Sequence, residues 1–364
     1  MAIYIILIVS LLLFSFTIKT IAANGEWRGK KIDAENVILK FGIIAIVLIL
    51  ALKKYTVGID IYGYWQQYEL SSLVAWSDVD YVYFEKGYIQ LMKLFSKLDV
   101  DFKLFMAGVY ALLCFSLYLF IKKYSTNVTL SLLTFICYQF FVFSISGVRQ
   151  TIAMALCMLA YICFDRKKIK YRILAILINV AACYIHKSAI IFFVVYVISL
   201  FKSSRIHLSL YVLSLPVSYL LRPTILQFIS EQFDTDKTDS VVTLGGAFLF
   251  LMAIALLVWF ATQNKRSTEL DQKNDTFNLS MAARVLLLSI PANIILSGST
   301  FLRATMYLNL FMIPAVPSAI NMLPAKQDRL MLNCAIGLFV IIVFYVTTLL
   351  PNQLELCPYK FFWQ

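Results

Sequence analysis

The sequence predicts an all-α fold, a polytopic integral membrane protein with about twelve transmembrane helices. Two observations point to this class. First, 61% of the 364 residues are hydrophobic and only 14% are charged, whereas a soluble globular domain contains about 25% charged residues. Second, the apolar residues fall in runs of about 20, the length that crosses a bilayer as a helix. We therefore expect residues 1–364 to form a single polytopic membrane domain.

Polar turns separate the apolar runs, and a span of roughly 17–25 residues fits most of them. The first run, residues 1–18, lacks a basic n-region and a small-residue cleavage site, so we interpret it as a retained span rather than a signal peptide. The sixth and seventh runs are short, which favours tilted or partly re-entrant helices. The predicted spans cover approximately residues 2–22, 37–53, 103–122, 128–145, 148–164, 171–185, 188–202, 206–222, 242–262, 279–297, 304–321 and 330–350.

The connections between the spans alternate in charge, which predicts their sides of the membrane. Because cytoplasmic loops carry an excess of lysine and arginine, we place the basic set in the cytoplasm, with residue 1 and the segment from Pro351 outside. The basic set is Arg28, Lys30, Lys31, Lys122, Lys123, Arg166, Lys167, Lys168, Lys170, Arg172, Lys202, Arg205, Lys265, Arg266, Lys326 and Arg329. The net charge of +12 is thus a topology signal and does not indicate nucleic-acid binding.

The outer connections carry the polar side chains that a ligand would meet. The longest is an extracytoplasmic loop at about residues 54–102, which is rich in tyrosine and tryptophan. A later outer loop is acidic and holds Glu231, Asp234, Asp236 and Asp239. We expect no metal site, disulfide framework or cofactor, because the seven cysteines form no CxxC pair and only two histidines are present.

Gly58 and Asp60 begin the long outer loop, and Tyr62, Tyr64 and Tyr68 follow them. Gly58 permits a sharp exit from the second span. The carboxylate then lies next to the membrane surface, and tyrosine rings can stack on sugars while their hydroxyls bond sugar hydroxyls. The alternative interpretation is an aromatic belt at the membrane interface with a turn carboxylate.

Glu85 lies later in the same loop, before an amphipathic segment at residues 88–98 that fits an interfacial helix. A carboxylate at this place can act as a general base or pair with an arginine. The alternative is a solvated glutamate that pairs weakly with Lys86.

The turn Ser146-Gly147-Val148-Arg149-Gln150 lies between two apolar runs and is the most specific feature of the chain. Charged side chains near a bilayer core are costly and usually face a cavity or a partner. The start of a helix offers unpaired N–H groups and a positive dipole end, and a guanidinium binds phosphate oxygens in a fork. The turn therefore predicts an anion site, although an arginine that snorkels to the headgroups is the alternative.

His186, Lys187 and Ser188 form a further outer turn, and Arg303 begins a later span with Tyr307 one helical turn beyond it. A histidine can transfer protons near neutral pH, although a lone histidine is often structural. Arginines on the outer face run against the topology bias, and an anionic ligand such as a lipid-linked pyrophosphate would account for them.

Five motifs, which occur in order over most of the chain, resemble those of the EpsG/Wzy-like polysaccharide polymerases. They are Gly58-Ile59-Asp60-x-Tyr62-x-Tyr64, Glu85-Lys86-Gly87, Ser146-Gly147-Val148-Arg149-Gln150 with Ala153, His186-Lys187-Ser188, and Pro358-Tyr359-Lys360. The chain departs from the resemblance at Lys53 and Lys54, where such proteins often carry an arginine before the Gly-x-Asp segment. Lysine keeps the charge but lacks the bidentate fork.

The resemblance implies a multi-pass enzyme of the bacterial inner or plasma membrane that polymerises surface polysaccharide, whether O-antigen, capsule or exopolysaccharide. Its substrates would be oligosaccharide repeat units on undecaprenyl pyrophosphate, already at the outer face. The enzyme would transfer the growing glycan from its lipid carrier onto the terminal sugar of another unit. Membrane lipid, a chain-length regulator and a flippase of the same pathway are the expected partners, with no nucleic acid.

On this interpretation the catalytic groups are distributed between two tasks. Arg149 and Arg303 would stabilise the pyrophosphate leaving group. His186 would be the base or proton relay, with Asp60 or Glu85 as the second choice. The expected substrate-binding residues are Gly58, Tyr62, Tyr64, Tyr68, Ser146, Gln150, Lys187 and Tyr307.

Three other functions remain open at this point. A lipid-linked oligosaccharide flippase or other transporter should place charges at the membrane midplane on broken helices in repeated halves, whereas the charges here gather near one face. An O-antigen ligase-type transferase would share the lipid donor but usually carries a larger late outer loop. An O-acetyltransferase is a weaker third alternative, because its acyl donor would come more naturally from the cytoplasm.

Overall fold

Helices account for most of the chain that the computed structural model describes, as the composition predicts. The described residues are 1–23, 33–78, 84–166, 168–200, 208–233, 245–263 and 277–364. Within these ranges no β-strand occurs, and an isolated antiparallel bridge pairs Lys53 with Phe361. The all-α class is therefore confirmed for these residues.

Part of the predicted topology signal lies outside the described residues. This applies to Arg28, Lys30, Lys31, Lys167, Lys202, Arg205, Lys265, Arg266, Asp234, Asp236 and Asp239. The orientation across the membrane accordingly stays a prediction from sequence.

The chain divides into two compact units. The single membrane domain stays a prediction. The first unit contains Met1–Lys123, Asn127–Ile190 and Gly337–Gln364. Its helices are α1 (Ala2–Ala23), α2 (Ala34–Ala51), α3 (Ile61–Leu73), α4 (Lys86–Lys97), α5 (Phe102–Tyr124, but for its last residue), α6 (Val128–Cys137), α7 (Phe140–Ser146), α8 (Val148–Phe164) and α9 (Ile169–Ile185).

The second unit contains Tyr124–Thr126 and Ile191–Ile336. Its helices are α10 (Phe193–Leu200, after a 3-10 turn Lys187–Phe192), α11 (Leu208–Phe233), α12 (Gly246–Thr262), α13 (Leu279–Leu296), a 3-10 turn Thr300–Thr305, α14 (Met306–Asn309), α15 (Met312–Asn321) and the start of α16 (Lys326–Phe344). Helix α13 packs against α11, α12 and α15 and forms the core of this unit.

The prediction of about twelve spans is not confirmed. Each predicted segment overlaps a helix in the described chain, but six helices of the described chain are long and apolar enough to cross a membrane, or seven if the bent pair α6 and α7 is one span. Those six are Ala2–Ala23, Ala34–Ala51, Phe102–Tyr124, Tyr211–Glu231, Leu279–Leu296 and Lys326–Leu349. Three shorter apolar helices are Val148–Phe164, Lys187–Leu200 and Gly246–Thr262.

Two of the predicted spans are interrupted by breaks within their apolar runs. The run 128–145 bends by 47° where α6 gives way to α7, and Gln139 adopts a left-handed conformation there with φ 57°. The run 304–321 is divided among a 3-10 turn, the four-residue α14 and α15. Hydropathy alone does not reveal these breaks, because the residues on both sides of each break are equally apolar.

The predicted outer loop at 54–102 contains two helices, α3 and α4. Each buries one face at helical spacing, with Tyr64, Tyr68 and Ser71 on α3. The two helices pack together, and the hydroxyls of Ser71 and Ser96 are 2.8 Å apart. The buried ammonium of Lys93 on α4 donates to the carbonyl of Ala75, 2.6 Å away, and to that of Asp78, which ties down the chain beyond α3.

Helices α8 and α9 form the antiparallel hairpin that positions the site. A connection of a few residues joins them and they pack along their length, so the start of α8 and the end of α9 lie at the same end of the hairpin. The other end carries the ion pair between Lys123 and Asp165, with a separation of 2.7 Å.

Candidate functional site

The Glu85 carboxylate joins side chains from three helices at the open end of the α8–α9 hairpin. One oxygen, Oε2, forms an ion pair with Nη1 of Arg149. The other, Oε1, lies 2.9 Å from Nδ1 of His186 and accepts the backbone N–H of Lys187 at 3.1 Å. The side chains of Glu85, Arg149 and His186 are mostly buried, with 11%, 22% and 20% of their surfaces exposed. Both carboxylate oxygens are therefore occupied.

Each of the three residues lies at the end of a helix. Gly147 separates α7 from α8, and Arg149 is the second residue of α8. His186 follows the last residue of α9, and its backbone N–H donates to Ala182 O at 2.8 Å. Glu85 precedes the first residue of α4. Helix ends leave backbone groups without intrahelical partners, so polar side chains are readily accommodated there.

Gly87 allows α4 to approach the end of α9 closely enough for this contact. A Cβ at Gly87 would stand 2.5 Å from the carbonyl oxygen of Tyr184, and it would also overlap the Tyr184 ring. The Tyr184 hydroxyl donates to Oε1 of Gln90 at 3.1 Å, which adds a second link between the two helices. Glycine at position 87 therefore brings Glu85 within reach of His186.

Aromatic rings cover the Arg149 guanidinium. Its Cζ lies 4.4 Å from the centroid of the Phe84 ring, a favourable cation–π separation. Its Nε donates to the Tyr64 hydroxyl at 3.1 Å, and the Tyr64 ring stacks on Phe84 with centroids 5.1 Å apart. These contacts hold the guanidinium in one orientation, and its Nη2 donates no hydrogen bond within the described residues.

The electrostatics of the cluster keep Glu85 ionised. Burial alone would raise the pKa of this carboxyl, but the hydrogen bond from His186 and the charge of Arg149 outweigh burial and lower the pKa to about 2. An ionised carboxylate at Nδ1 favours the tautomer with the proton on Nδ1. Nε2 of His186 is then the acceptor, and it has no partner within the described chain.

Asp60 is linked to the same end of the hairpin through Ser146. The Ser146 hydroxyl accepts the backbone N–H of Asp60 and donates to Asp60 Oδ2, both at 3.2 Å. Gly58 makes this approach possible, because it has φ 101° and a Cβ there would lie 3.0 Å from Ile145 O. Ser146 is three residues before Arg149, so Asp60 lies beside the Glu85 cluster.

Residues 352–362 brace the other side of the Gly58 loop. The N–H groups of Gly58 and Ile59 donate to the carbonyls of Glu355 and Leu354, both at 3.1 Å. Lys54 N–H donates to Lys360 O at 2.9 Å. The hydroxyl of Tyr4 also donates to Leu356 O, and that of Tyr359 donates to Ile49 O. Within the loop itself, Nζ of Lys53 donates to Val57 O. Lys53, one of the two lysines at the position where the related proteins often carry an arginine, thus stabilises this loop.

Several predicted binding residues do not face an open site. Tyr64 and Tyr68 are buried; Tyr64 supports Arg149, and the Tyr68 hydroxyl donates to Val100 O at 2.7 Å. These two rings are therefore not exposed, and their role as substrate-binding residues stays a prediction. Gln150 and Ser146 are likewise buried, whereas Tyr62 and Lys187 are exposed.

Arg303 and Tyr307 belong to the second unit. Arg303 is an exposed residue of the 3-10 turn Thr300–Thr305, and Tyr307 is fully buried in α14. Their convergence with Arg149 stays a prediction.

The sequence did not single out Phe84, Tyr184 or residues 352–357 as parts of the site. Phe84 adjoins Glu85 in the chain, and an aromatic residue beside a buried charge is the signal that could have indicated it. The contacts of Tyr184 and of the 352–357 segment join positions that are far apart in sequence, so no local pattern indicates them.

The fold and the site define a helical membrane protein with a charged, aromatic-lined cluster at one end of a helical hairpin. The model of the EpsG family matches residues 37–361, so the chain belongs to the EpsG family, as the motifs predicted. No curated protein and no solved structure matches the chain significantly.

Replacement of Gly87 by alanine should separate α4 from α9. The new Cβ meets backbone at Tyr184, which cannot move aside as a flexible side chain would, and we expect a loss of about 1–3 kcal/mol of stability. The unfolding midpoint of the purified protein in detergent measures this. Gly63→Ala in α3 is the matched control, because a Cβ there meets nothing within 4 Å. A midpoint for Gly87→Ala as high as that of Gly63→Ala would contradict the packing argument.

The stabilising effect of Glu85 should depend on pH in a defined direction. Because its pKa is lowered in the folded state, its contribution is complete above the ordinary value of 4.5 and is lost as pH falls towards about 2. The difference in unfolding midpoint between wild type and Glu85→Gln should stay constant from about pH 8 to about pH 5 and shrink below that. Glu69→Gln, which removes a carboxylate at an exposed position, is the control. A difference that already shrinks between about pH 7 and about pH 5 would contradict the assignment.

Proposed function

We propose that this EpsG-family protein is a polysaccharide polymerase that acts at the outer face of the bacterial cell membrane. It transfers a growing glycan from undecaprenyl pyrophosphate onto the terminal sugar of another lipid-linked repeat unit. The observation that carries the proposal is the Glu85 carboxylate, which joins Arg149 and His186 at one end of a helical hairpin. That arrangement places a cation for a leaving group beside a base for an acceptor.

Arg149 is the group we assign to the pyrophosphate. It lies at the start of α8, where the helix dipole favours an anion, and Nη2 stays available for a phosphate oxygen. Glu85 and Tyr64 orient the guanidinium before substrate arrives, and preorganised charge of this kind typically contributes more to catalysis than any other single effect. Arg303 is the second cation in this scheme.

His186 is the group we assign as general base. Glu85 holds Nδ1, which leaves Nε2 to accept a proton from the acceptor hydroxyl, as a carboxylate orients a histidine in hydrolase triads. Glu85 itself is a poor base, because its pKa is about 2 and both oxygens are engaged. Glu85 is thus a positioning residue, and Asp60 is the alternative base.

The proposed step balances without a cofactor. The acceptor oxygen forms a bond to the anomeric carbon of the donor glycan as its proton passes to Nε2 of His186. The bond between that carbon and the pyrophosphate oxygen breaks, and its electrons remain on the pyrophosphate beside Arg149. His186 then releases the proton to solvent.

Complementation of a deletion strain tests the function and the role of Arg149 together. The deletion strain should accumulate single repeat units on lipid at the outer face, and Arg149→Ala should restore about 1% or less of the long-chain polymer. Arg149→Lys should restore little, because lysine lacks the fork. Gel electrophoresis of extracted polysaccharide gives the chain-length distribution.

Lys97→Ala is the control for the arginine variants, because Lys97 is an exposed cation on α4 and its loss should leave the polymer unchanged. Normal chains from a stably expressed Arg149→Ala would remove the leaving-group assignment. Repeat units trapped inside the deletion strain would indicate a flippase instead. Full-length polymer that is not attached to its final acceptor would indicate a ligase.

The pH profile of transfer tests His186. In reconstituted membranes His186→Gln should lower the rate about 100-fold or more, since general base catalysis contributes about 10²–10⁴-fold, and should abolish the acid limb of the wild-type profile. His207→Gln changes the other histidine of the chain and should leave the acid limb intact. An unchanged profile for His186→Gln would show that His186 is structural and would leave Asp60 as the base.

A further inference from the structure

Three aromatic rings contact one another on the outward face of α3 and the loop before it. The rings of Tyr55 and Trp65 are stacked, with centroids 5.1 Å apart and an interplanar angle of 20°. Tyr62 completes the trio, with its centroid 5.5 Å from that of Trp65 and 6.2 Å from that of Tyr55. Tyr62 is 48% exposed and the other two residues are partly exposed. We call these three residues the ring platform.

The polar atoms of the ring platform are open to a ligand. Within the described residues, the hydroxyls of Tyr55 and Tyr62 and the indole N–H of Trp65 form no hydrogen bond. Tyr62, Trp65, Gln66 and Glu69 follow helical spacing on one face of α3, and Gln66 and Glu69 are exposed. The face therefore combines flat apolar rings with hydroxyl, amide and carboxylate groups.

The ring platform lies on the exposed face of α3, whereas the Glu85 cluster contacts the buried face of this helix through Tyr64. Tyr64 faces inward and accepts a hydrogen bond from Arg149, whereas Tyr62 and Trp65 face outward. An α-helix with its side chains is about 10–12 Å across, a distance that a short oligosaccharide spans. Asp60, which Ser146 links to the cluster, directly precedes the first residue of α3 and lies at the same end of the helix as Tyr62.

A sugar ring fits this surface better than membrane lipid does. Binding sites for small molecules combine aromatic side chains with a few placed polar groups, and Tyr and Trp offer rigid contact area at low entropic cost. A pyranose presents an apolar C–H face to such rings and hydroxyls to the groups around them. A surface immersed in hydrocarbon would instead exclude the Glu69 carboxylate, because a charge there is costly.

We propose that Tyr55, Tyr62 and Trp65 form a carbohydrate-binding subsite that stacks a sugar ring of the repeat unit on the side of α3 away from the Glu85 cluster. The identity of the ligand, a glycan repeat unit, rests on the proposed function. The subsite adds the place where the protein holds that glycan. Its occupant is a neutral or cationic pyranose, since Gln66 and Glu69, the exposed polar side chains on the α3 face of Tyr62 and Trp65, are uncharged or acidic.

Oligosaccharide binding to the full-length protein in detergent tests the subsite. The probe is a repeat-unit oligosaccharide obtained by partial acid hydrolysis of the host's own polysaccharide, labelled at its reducing end and measured by equilibrium dialysis. Trp65→Ala should weaken binding about tenfold, whereas Trp65→Phe, which keeps a ring face, should weaken it less than about threefold. Trp76→Ala is the matched control, because Trp76 is 52% exposed and lies outside the ring platform.

The outcomes separate stacking from a structural or membrane role. If Trp65→Ala does not elute as a single species in detergent, Tyr62→Ala, at an exposed position, takes its place with the same expected loss. Binding by these variants that equals that of wild type would overturn the subsite. An equal loss in Trp76→Ala, or loss of membrane association with binding unchanged, would also overturn it and indicate an interfacial belt.

The binding measurement contains no lipid-linked donor, so it does not depend on polymerisation. Long-chain polymer in the deletion strain would refute the proposed function, yet a difference between Trp65→Ala and Trp76→Ala would still identify a carbohydrate site. Conversely, single repeat units on lipid in the deletion strain together with wild-type binding by Trp65→Ala would refute the subsite alone.

Discussion

The contact on which the site depends is the Glu85 carboxylate between the Arg149 guanidinium and the His186 imidazole. A charged group that leaves water needs a partner, and removal of one member from a buried pair typically costs about 3–5 kcal/mol. The ion pair and the hydrogen bond among these residues therefore hold the three helix ends together. Since Lys187 N–H and the Tyr64 hydroxyl also join the network, few alternative arrangements would satisfy its polar groups.

The surrounding structure serves to maintain this contact. The α8–α9 hairpin brings Arg149 and His186 to the same end, and Gly87 admits α4 close to α9. The Gly58 loop is held between Ser146 on one side and residues 352–362 on the other. Rigid support of this kind matters for a site that must hold a cation and a base in one geometry before substrate binds.

The residues of the site could be predicted to different degrees. Arg149 was recognisable because an arginine between apolar runs is costly unless it has a partner or faces a cavity. His186 was recognisable because it interrupts another apolar stretch. Glu85 was ambiguous, since one carboxylate in a polar loop can be solvated, paired or catalytic. The tyrosines were assigned together, but helical spacing in α3 turns Tyr64 and Tyr68 inward and Tyr62 outward. Interpreted as a loop, this stretch offers no reason to separate them.

The sequence by itself determined the membrane class, the helical composition, the family and the residue types of the site, because hydropathy and short motifs are local properties of the chain. The tertiary structure decided which apolar runs are broken, which partner satisfies each charge and which face each ring occupies. These depend on contacts between distant positions, such as Glu85 with Arg149 and Gly58 with Glu355. Buried charges and buried backbone N–H and C=O groups require partners, and those partners come together only when the helices pack. A short stretch of sequence therefore does not reveal these contacts.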